Sequence, residues 1–282
     1  NEGRRHVNPR PAPSLAGRGL FTGAASSVSI HHAETIVLEV GGVQIPALVE
    51  HVQPGAGPSV GRSTTLTHDG AAALTVEHLL AACAGLGRWN VRAAVQGAGR
   101  TVELPIDDGS AQAWVHLIDT LGPSNPPRPL RLSRPVRVEG SGGSFIEATP
   151  SDHIEYRYEL RYPAGLGVPD QDASWDGSAA SFRREIAPAR TFCLEHEARA
   201  MRDAGLFSHL TPRDMLVIAP DSTPIDNALR FADEPARHKL LDLIGDLALL
   251  GGPLIARVVA HKAGHALTHA LCREIRANSD QH

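Results

Sequence analysis

Residues 234–251 read EPARHKLLDLIGDLALLG, and within them His238, Asp242 and Asp246 recur at every fourth position. Four residues of α-helix turn through about 400°, so the three side chains share one face, each displaced by ~40° from the last. The segment carries helix punctuation: Asp233 placed to cap it, Pro235 in the first turn, Gly251 and Gly252 at its end. Leu240, Leu241, Leu243, Ile244, Leu247, Leu249 and Leu250 make it apolar nearly all round, and such a helix belongs inside the protein. Two carboxylates and an imidazole carried into the interior require partners, because an unpaired buried charge is very unfavourable. Two kinds of partner satisfy that demand: a divalent metal on His238 and Asp242, or Lys and Arg side chains at a domain seam.

The chain of 282 residues has room for two domains or one large one. Hydrophobic residues make up 42% and aromatics only 4%, so its cores are mostly aliphatic. A net charge of −4 without a long basic run argues against nucleic acid as a partner. No run of ~18 apolar residues is free of charge, so stable membrane insertion is not expected. Arg4–Arg5 is followed by no apolar stretch, so no secretory signal is expected, and Asn1 in place of Met suggests a processed amino end. Cys83, Cys193 and Cys272 are widely spaced and odd in number, which predicts reduced, buried thiols in a cytoplasmic protein. The oligomeric state is not legible; a monomer is compatible with the sequence.

Residues 1–15, rich in Arg, Pro, Asn and Gly, are expected to be disordered. Strands are predicted in 26–49 with a turn at Gly41–Gly42, and again over 90–104. Helices are predicted over 74–86, stopped by Gly85, and over 110–121, capped by Ser110. GPSNPPRP at 122–129 is the best linker in the chain. Beyond it, strands are expected at 130–138, 144–149, 154–161, 183–192, 215–219 and 254–262, with 164–178 a loop. Helices are expected at 195–204 and 235–250, and a final segment at 268–277. The fold class is α+β in two domains, 16–121 and 130–278, each a mainly antiparallel sheet layered with two helices.

Other residues carry chemistry on shorter patterns. Glu77 and His78 fall in the first turn of a helix that Thr75 is placed to cap. Neighbouring helical residues point ~100° apart, so one can hold a metal while the other reaches a water beside it; an isolated Glu-His pair also recurs by chance. His265, after Gly264, suits either a cap for the last helix or a general acid or oxyanion partner. Thr191 is either a β-branched strand residue or a hydroxyl donor.

Five blocks then appear in order: TVEHLLAACAGLG (75–87), ELPIDDGSA (103–111), RTFC (190–193), LRFADEPARHKLLDLIGDLALLG (229–251) and HKAGHAL (261–267). Together they resemble the zinc-dependent UDP-3-O-acyl-N-acetylglucosamine deacetylases, which carry out the committed step of lipid A synthesis. The resemblance covers nearly the whole chain. It implies Zn2+ held by His78, His238 and Asp242, with Glu77 as the general base. It implies His265 as the cationic partner of the oxyanion or leaving amine, Asp246 orienting His265, and Thr191 donating to the oxyanion. Lys239 and Phe192 would meet the substrate, a UDP-linked acylated amino sugar, and the helices would meet between two sheets. A different N-acyl amino sugar, or a silent sugar-nucleotide-binding role, is the alternative.

Three departures bear on the substrate. The turn GRGLFTG (17–23) has Phe21 where the family usually has His; Thr268 stands where Asn is usual; and SHLTPRDML (208–216) replaces a Gly-rich stretch. Ile186, Phe192, Leu194, Ala198, Met201, Leu206 and Phe207 are candidate walls for an acyl chain, equally suited to a core. Arg190, Arg230 and Arg237 are candidate phosphate contacts or solvated surface residues.

Overall fold

The structure is a computed structural model, and it describes residues 12–53, 61–122 and 125–279. In chain order the first half gives β1 (Ser14–Arg18), β2 (Ala25–His32), β3 (Val37–Val40), β4 (Val43–Pro46), β5 (Val52–Gln53), β6 (Thr65–His68), β7 (Ala71–Leu74), α1 (Glu77–Gly85), β8 (Val91–Gln96), β9 (Thr101–Glu103) and α2 (Gln112–Asp119). The second gives β10 (Leu130–Arg131), β11 (Val136–Glu139), β12 (Phe145–Pro150), β13 (Glu155–Leu160), β14 (Gln171–Trp175), α3 (Ala179–Ser181), β15 (Phe192–Leu194), α4 (Glu195–Asp203), β16 (Leu216–Ile218), α5 (Glu234–Leu247), β17 (Leu254–His261) and α6 (His265–Ser279).

The principal sheets are mainly antiparallel, as expected. One has the order β1-β2-β8-β3-β4, with β3 and β8 paired in parallel and its other pairs antiparallel. The other runs β11-β12-β17-β13-β14, with β13 parallel to β17 and the short β10 also pairing β17. A four-stranded sheet β5-β6-β7-β9 and the parallel pair β15-β16 complete the set. Burial alternates along β2, β13 and β17, so each presents one apolar face to the helices. The main core, mostly aliphatic with Trp114 and Phe182 among its largest buried side chains, draws residues from both halves.

The centre of that core is the crossing of α1 and α5. A Cβ at Gly245 would collide with the Glu77 carbonyl, so only glycine permits the approach there. This brings the first turn of α1, with Glu77 and His78, against the face of α5 that carries His238, Asp242 and Asp246. Arg190 reinforces the entry to α5. Its Nε donates to Glu234 Oε1 at 2.9 Å, and Glu234 is wholly buried.

Several local expectations change. Residues 1–11 lie outside the described residues, but Ser14 and Leu15 are not disordered: they pair with Ser29 and Val28 in β1. Thr75 does not cap α1. Its φ is +57°, and its hydroxyl donates to Glu103 Oε1, while Val76 stands at the N-cap. Residues 183–192 are not a strand until Phe192. Ser178 caps α3, which runs into a π-turn at Phe182–Ile186 that buries Phe182 and Ile186. The stretch 164–178 contains the edge strand β14, whose Ala173 and Trp175 alternate inward. Asp233 is at the N-cap of α5 without a side-chain cap bond, and pairs instead with Arg237 at 2.7 Å. In the expected linker, Pro123 and Ser124 lie outside the described residues. The three cysteines are free and buried.

Candidate active site

A cleft of about 340 Å³ is lined by Glu77, His78, Thr191, Phe192, His238, Lys239, Asp242 and His265 among others. Every sequence-predicted site residue except Asp246 lines it; Asp246 sits behind His265, 1% exposed. At its floor His78 Nε2 lies 3.7 Å and His238 Nε2 3.4 Å from Asp242 Oδ1. Ligand atoms of the three residues all lie within 4.8 Å of one another. A tetrahedral site with ~2.1 Å bonds has ligand–ligand edges of roughly 3.4 Å, so the spacing suits one small cation. The imidazoles are in the ligating form: burial holds both below the ordinary histidine range, and His78, which also faces His238, is lowered to about 3. The His238 Nδ1–H donates to the Ala189 carbonyl at 3.1 Å, which fixes the tautomer and leaves Nε2 to ligate.

The carboxylate of Asp242 is divided. Oδ1 faces the histidines, and Oδ2 accepts from Lys239 Nζ at 2.5 Å. Burial opposes its charge, but the Lys239 ammonium holds it well below the usual carboxylate range. Lys239 is likewise held protonated by Asp242 against burial.

Glu77 stands beside this triad and accepts the Thr64 backbone N–H at Oε2, 3.0 Å away. Burial raises its pKa to about 8, with His265 pulling down and Asp242 pushing up. Burial also works against a charge on His265, yet Asp246 Oδ2 at 2.7 Å from Nδ1 raises it to about 9. His265 is the first residue of α6, and its ring is committed to Asp246 rather than to capping that helix. Tyr158 supports the preceding turn by donating to the Ala263 carbonyl. Thr191 is fixed through its backbone, whose N–H donates to the Gly109 carbonyl at 2.8 Å.

The flanking residues divide between the two readings each was given. Arg190, Arg230 and Arg237 pair with Glu234, Asp108 and Asp233 and do not line the cleft. Ile186 and Leu194 belong to the main core and wall no passage. Ala198 and Phe207 instead line an apolar pocket of about 170 Å³, and Met201 and Leu206 pack on the cluster around Phe21, Phe207 and Met215. Phe21 points into that cluster. Its turn is held by Glu103, which accepts the N–H groups of Phe21 and Thr22.

Further residues join the site. Arg62 and Tyr162 line the cleft, and Arg62 has a loose ion pair with Glu197 at 3.7 Å. Thr64 and His269 surround Asp246. His269 had a signal, since it follows His265 at the same four-residue spacing seen in α5. Thr64 and Arg62 had none.

Comparison with known proteins accounts for this arrangement. The sequence matches the LpxC family, described as UDP-3-O-acyl N-acetylglycosamine deacetylase, over residues 10–277. It is 38% identical over 269 residues to the UDP-3-O-acyl-N-acetylglucosamine deacetylase of Chlamydia felis (strain Fe/C-56), covering 92% of each chain. It is 37% identical over 271 residues to the protein of the same name from Chlamydia pneumoniae, covering 92% of this chain and 93% of that one. Matched by the family model over residues 10–277 and by these relatives over 92% of its length, the chain belongs to the LpxC family of deacetylases.

Proposed function

We propose that the chain hydrolyses the N-acetyl group of UDP-3-O-(3-hydroxyacyl)-N-acetylglucosamine, giving acetate and the free amine, with Zn2+ as its metal. The observation that carries this reading is the convergence of three groups in one cleft. His78, His238 and Asp242 offer a cation site, Glu77 is a carboxylate outside that set, and His265 is an imidazole held cationic by Asp246. Two neutral imidazoles and one carboxylate suit zinc and leave a coordination position open. When bound, the metal supplies Lewis acidity to the amide carbonyl and to water.

The remaining chemistry falls to side chains. Glu77 takes a proton from water as its oxygen attacks the amide carbon. The developing oxyanion is met by the Thr191 hydroxyl and the charge on His265. The C–N bond then breaks as the amine nitrogen takes a proton from His265 Nε2, the ring nitrogen not engaged by Asp246. Lys239 and Arg62 supply positive charge for the diphosphate, and Phe192 packs on the sugar. The apolar pocket lined by Ala198, Phe207 and Met215, beside the Phe21 cluster, takes the acyl chain.

We read residues 16–121 and 130–278 as two domains joined by 122–129; the separate sheets of each half support this. A cytoplasmic site of action is supported by three free buried thiols. No helix among the described residues is long and apolar enough to cross a membrane.

The test is acetate release from UDP-3-O-(3-hydroxyacyl)-N-acetylglucosamine by chelator-stripped protein, before and after one equivalent of zinc. Release only with zinc supports the metal, the reaction and the substrate together. No release from zinc-loaded protein overturns the substrate and points to another N-acyl amino sugar or a silent binder.

A further inference from the structure

Thr64 touches both arms of the acid–base machinery. Its backbone N–H donates to Glu77 Oε2 at 3.0 Å, and its hydroxyl donates to Asp246 Oδ1 at 2.5 Å. Its own carbonyl accepts the Val76 N–H at 3.2 Å, which ties it to the start of α1. Behind it, His269 Nε2 lies 3.0 Å from the Thr64 hydroxyl and 3.3 Å from Asp246 Oδ1. Thr64 is fully buried, and His269 and Asp246 are nearly so.

A hydroxyl has one proton and two lone pairs. With its proton on Asp246, Thr64 Oγ1 accepts from His269 Nε2–H. The chain of donors therefore runs from His269 through Thr64 to Asp246 Oδ1, while Asp246 Oδ2 accepts from His265 Nδ1–H at 2.7 Å. The carboxylate cannot rotate without breaking a bond at each oxygen.

We propose that Thr64 is a positioning residue serving base and acid at once, and that His269, in contact with both Thr64 and Asp246, helps it orient Asp246 and thereby His265. Glu77 and His265 come from different helices, α1 and α6, and must be placed relative to one another to well under an ångström. Thr64, just ahead of β6, is in hydrogen-bond contact with Glu77 on one side and with the orienter of His265 on the other. The inference rests on the roles proposed above for Glu77 and His265.

The experiment compares Thr64→Val, Thr64→Ser, His269→Gln and the Thr64→Val/His269→Gln double variant as zinc-loaded full chains. Thr64→Val keeps shape and the backbone bond to Glu77 and removes only the hydroxyl. A hydrogen bond to a charged group is worth enough to lower kcat by about 10- to 100-fold on its loss, with KM and bound zinc unchanged. Thr64→Ser restores most of that loss. His269→Gln alone is expected to lower kcat by less than Thr64→Val, and because both residues hold the same oxygen of Asp246 the two losses combine non-additively in the double variant. The proton resonance of His265 Nδ1–H, identified by its disappearance in His265→Gln, reads the same geometry without turnover and is expected to shift in Thr64→Val. Unchanged kcat and an unmoved resonance in Thr64→Val overturn the proposal, as do multiplicative losses in the double variant. Loss of activity in the wild type, with the resonance still moved by Thr64→Val, would instead count against the reaction.

Discussion

Lys239 Nζ lies 2.5 Å from Asp242 Oδ2, one helical turn away on α5, while the other carboxylate oxygen faces His78 and His238. The ammonium thus sets which oxygen is offered to a metal. It is also partly open to the cleft, with donors left over for an anionic group. Lys239→Ala is expected to lower kcat/KM by about 10- to 100-fold, the range for losing a partner that orients a metal ligand. Steady-state kinetics on the zinc-saturated variant test this, and an unchanged kcat/KM would remove Lys239 from the site.

Glu77 and His265 set the pH dependence. His265 acts in its protonated form, which dominates below about 9, so activity falls as pH rises through that value. Glu77 acts as the carboxylate. Burial lifts its pKa to about 8, and a bound dication lowers it again, so the acid limb lies below 8. In Asp246→Asn the charge that retains the His265 proton is gone, and the alkaline limb moves to lower pH. Glu77→Gln is expected to lose about 10²- to 10⁴-fold in kcat while keeping its metal. A kcat/KM profile for each variant, with zinc content measured in parallel, decides the matter. An alkaline limb unmoved in Asp246→Asn would be evidence against the His265 assignment.

Local spacing made the floor of the site legible. His238, Asp242 and Asp246 share a helix face because the period of the sequence matches that of the helix, and the leucines around them announce burial. Residues joined by tertiary contact alone left no such trace. Thr64 sits in RSTTLT, where nothing separates it from its neighbours, and it reaches Asp246 only because its carbonyl, accepting the Val76 N–H, holds it at the start of α1. The strand β14 was hidden because an edge strand exposes polar residues, here Asp172 and Ser174, in alternation with Ala173 and Trp175. At 183–192, FRREI mimicked a strand, but the Ser178 cap upstream started a helical turn that buries Phe182 and Ile186 together. Phe21 was legible as a departure, while its partner became visible only in three dimensions.

Arg190 and Glu234 form an ion pair in the core, backed by the Arg190 backbone N–H at 3.1 Å and the Arg230 N–H at 2.6 Å on the same carboxylate. The pair joins the entry of α5 to the residue before Thr191. Removing one member leaves the other charge buried and unpaired, so Arg190→Met is expected to cost about 3–5 kcal/mol of folding stability. Urea unfolding of the zinc-loaded variant measures it. A loss below about 1 kcal/mol, the range of exposed pairs, would show that the site tolerates water.

Phe21 and Phe207 pack with ring centroids 5.8 Å apart and planes tilted by 41°, and His209 Nε2 lies 3.0 Å from the Gly19 carbonyl beside them. Two departures from the family pattern, the 17–23 turn and the 208–216 loop, therefore meet in space. Around them Met215 and Val217 complete an apolar cluster, next to the pocket that Phe207 and Ala198 line. If this pocket receives the acyl chain, removing the Phe207 ring takes apolar contact from long chains and leaves short ones unaffected. Burial of a phenyl ring is worth about 1.5–3 kcal/mol, which corresponds to about 10- to 100-fold in kcat/KM. Phe207→Ala is expected to lose that much on a substrate with a long 3-O-acyl chain and little on a short-chain analogue. Assaying both substrates on one preparation separates recognition from folding, because a stability defect lowers both rates alike. Equal losses on the two would assign Phe207 to the core and leave the acyl chain another path.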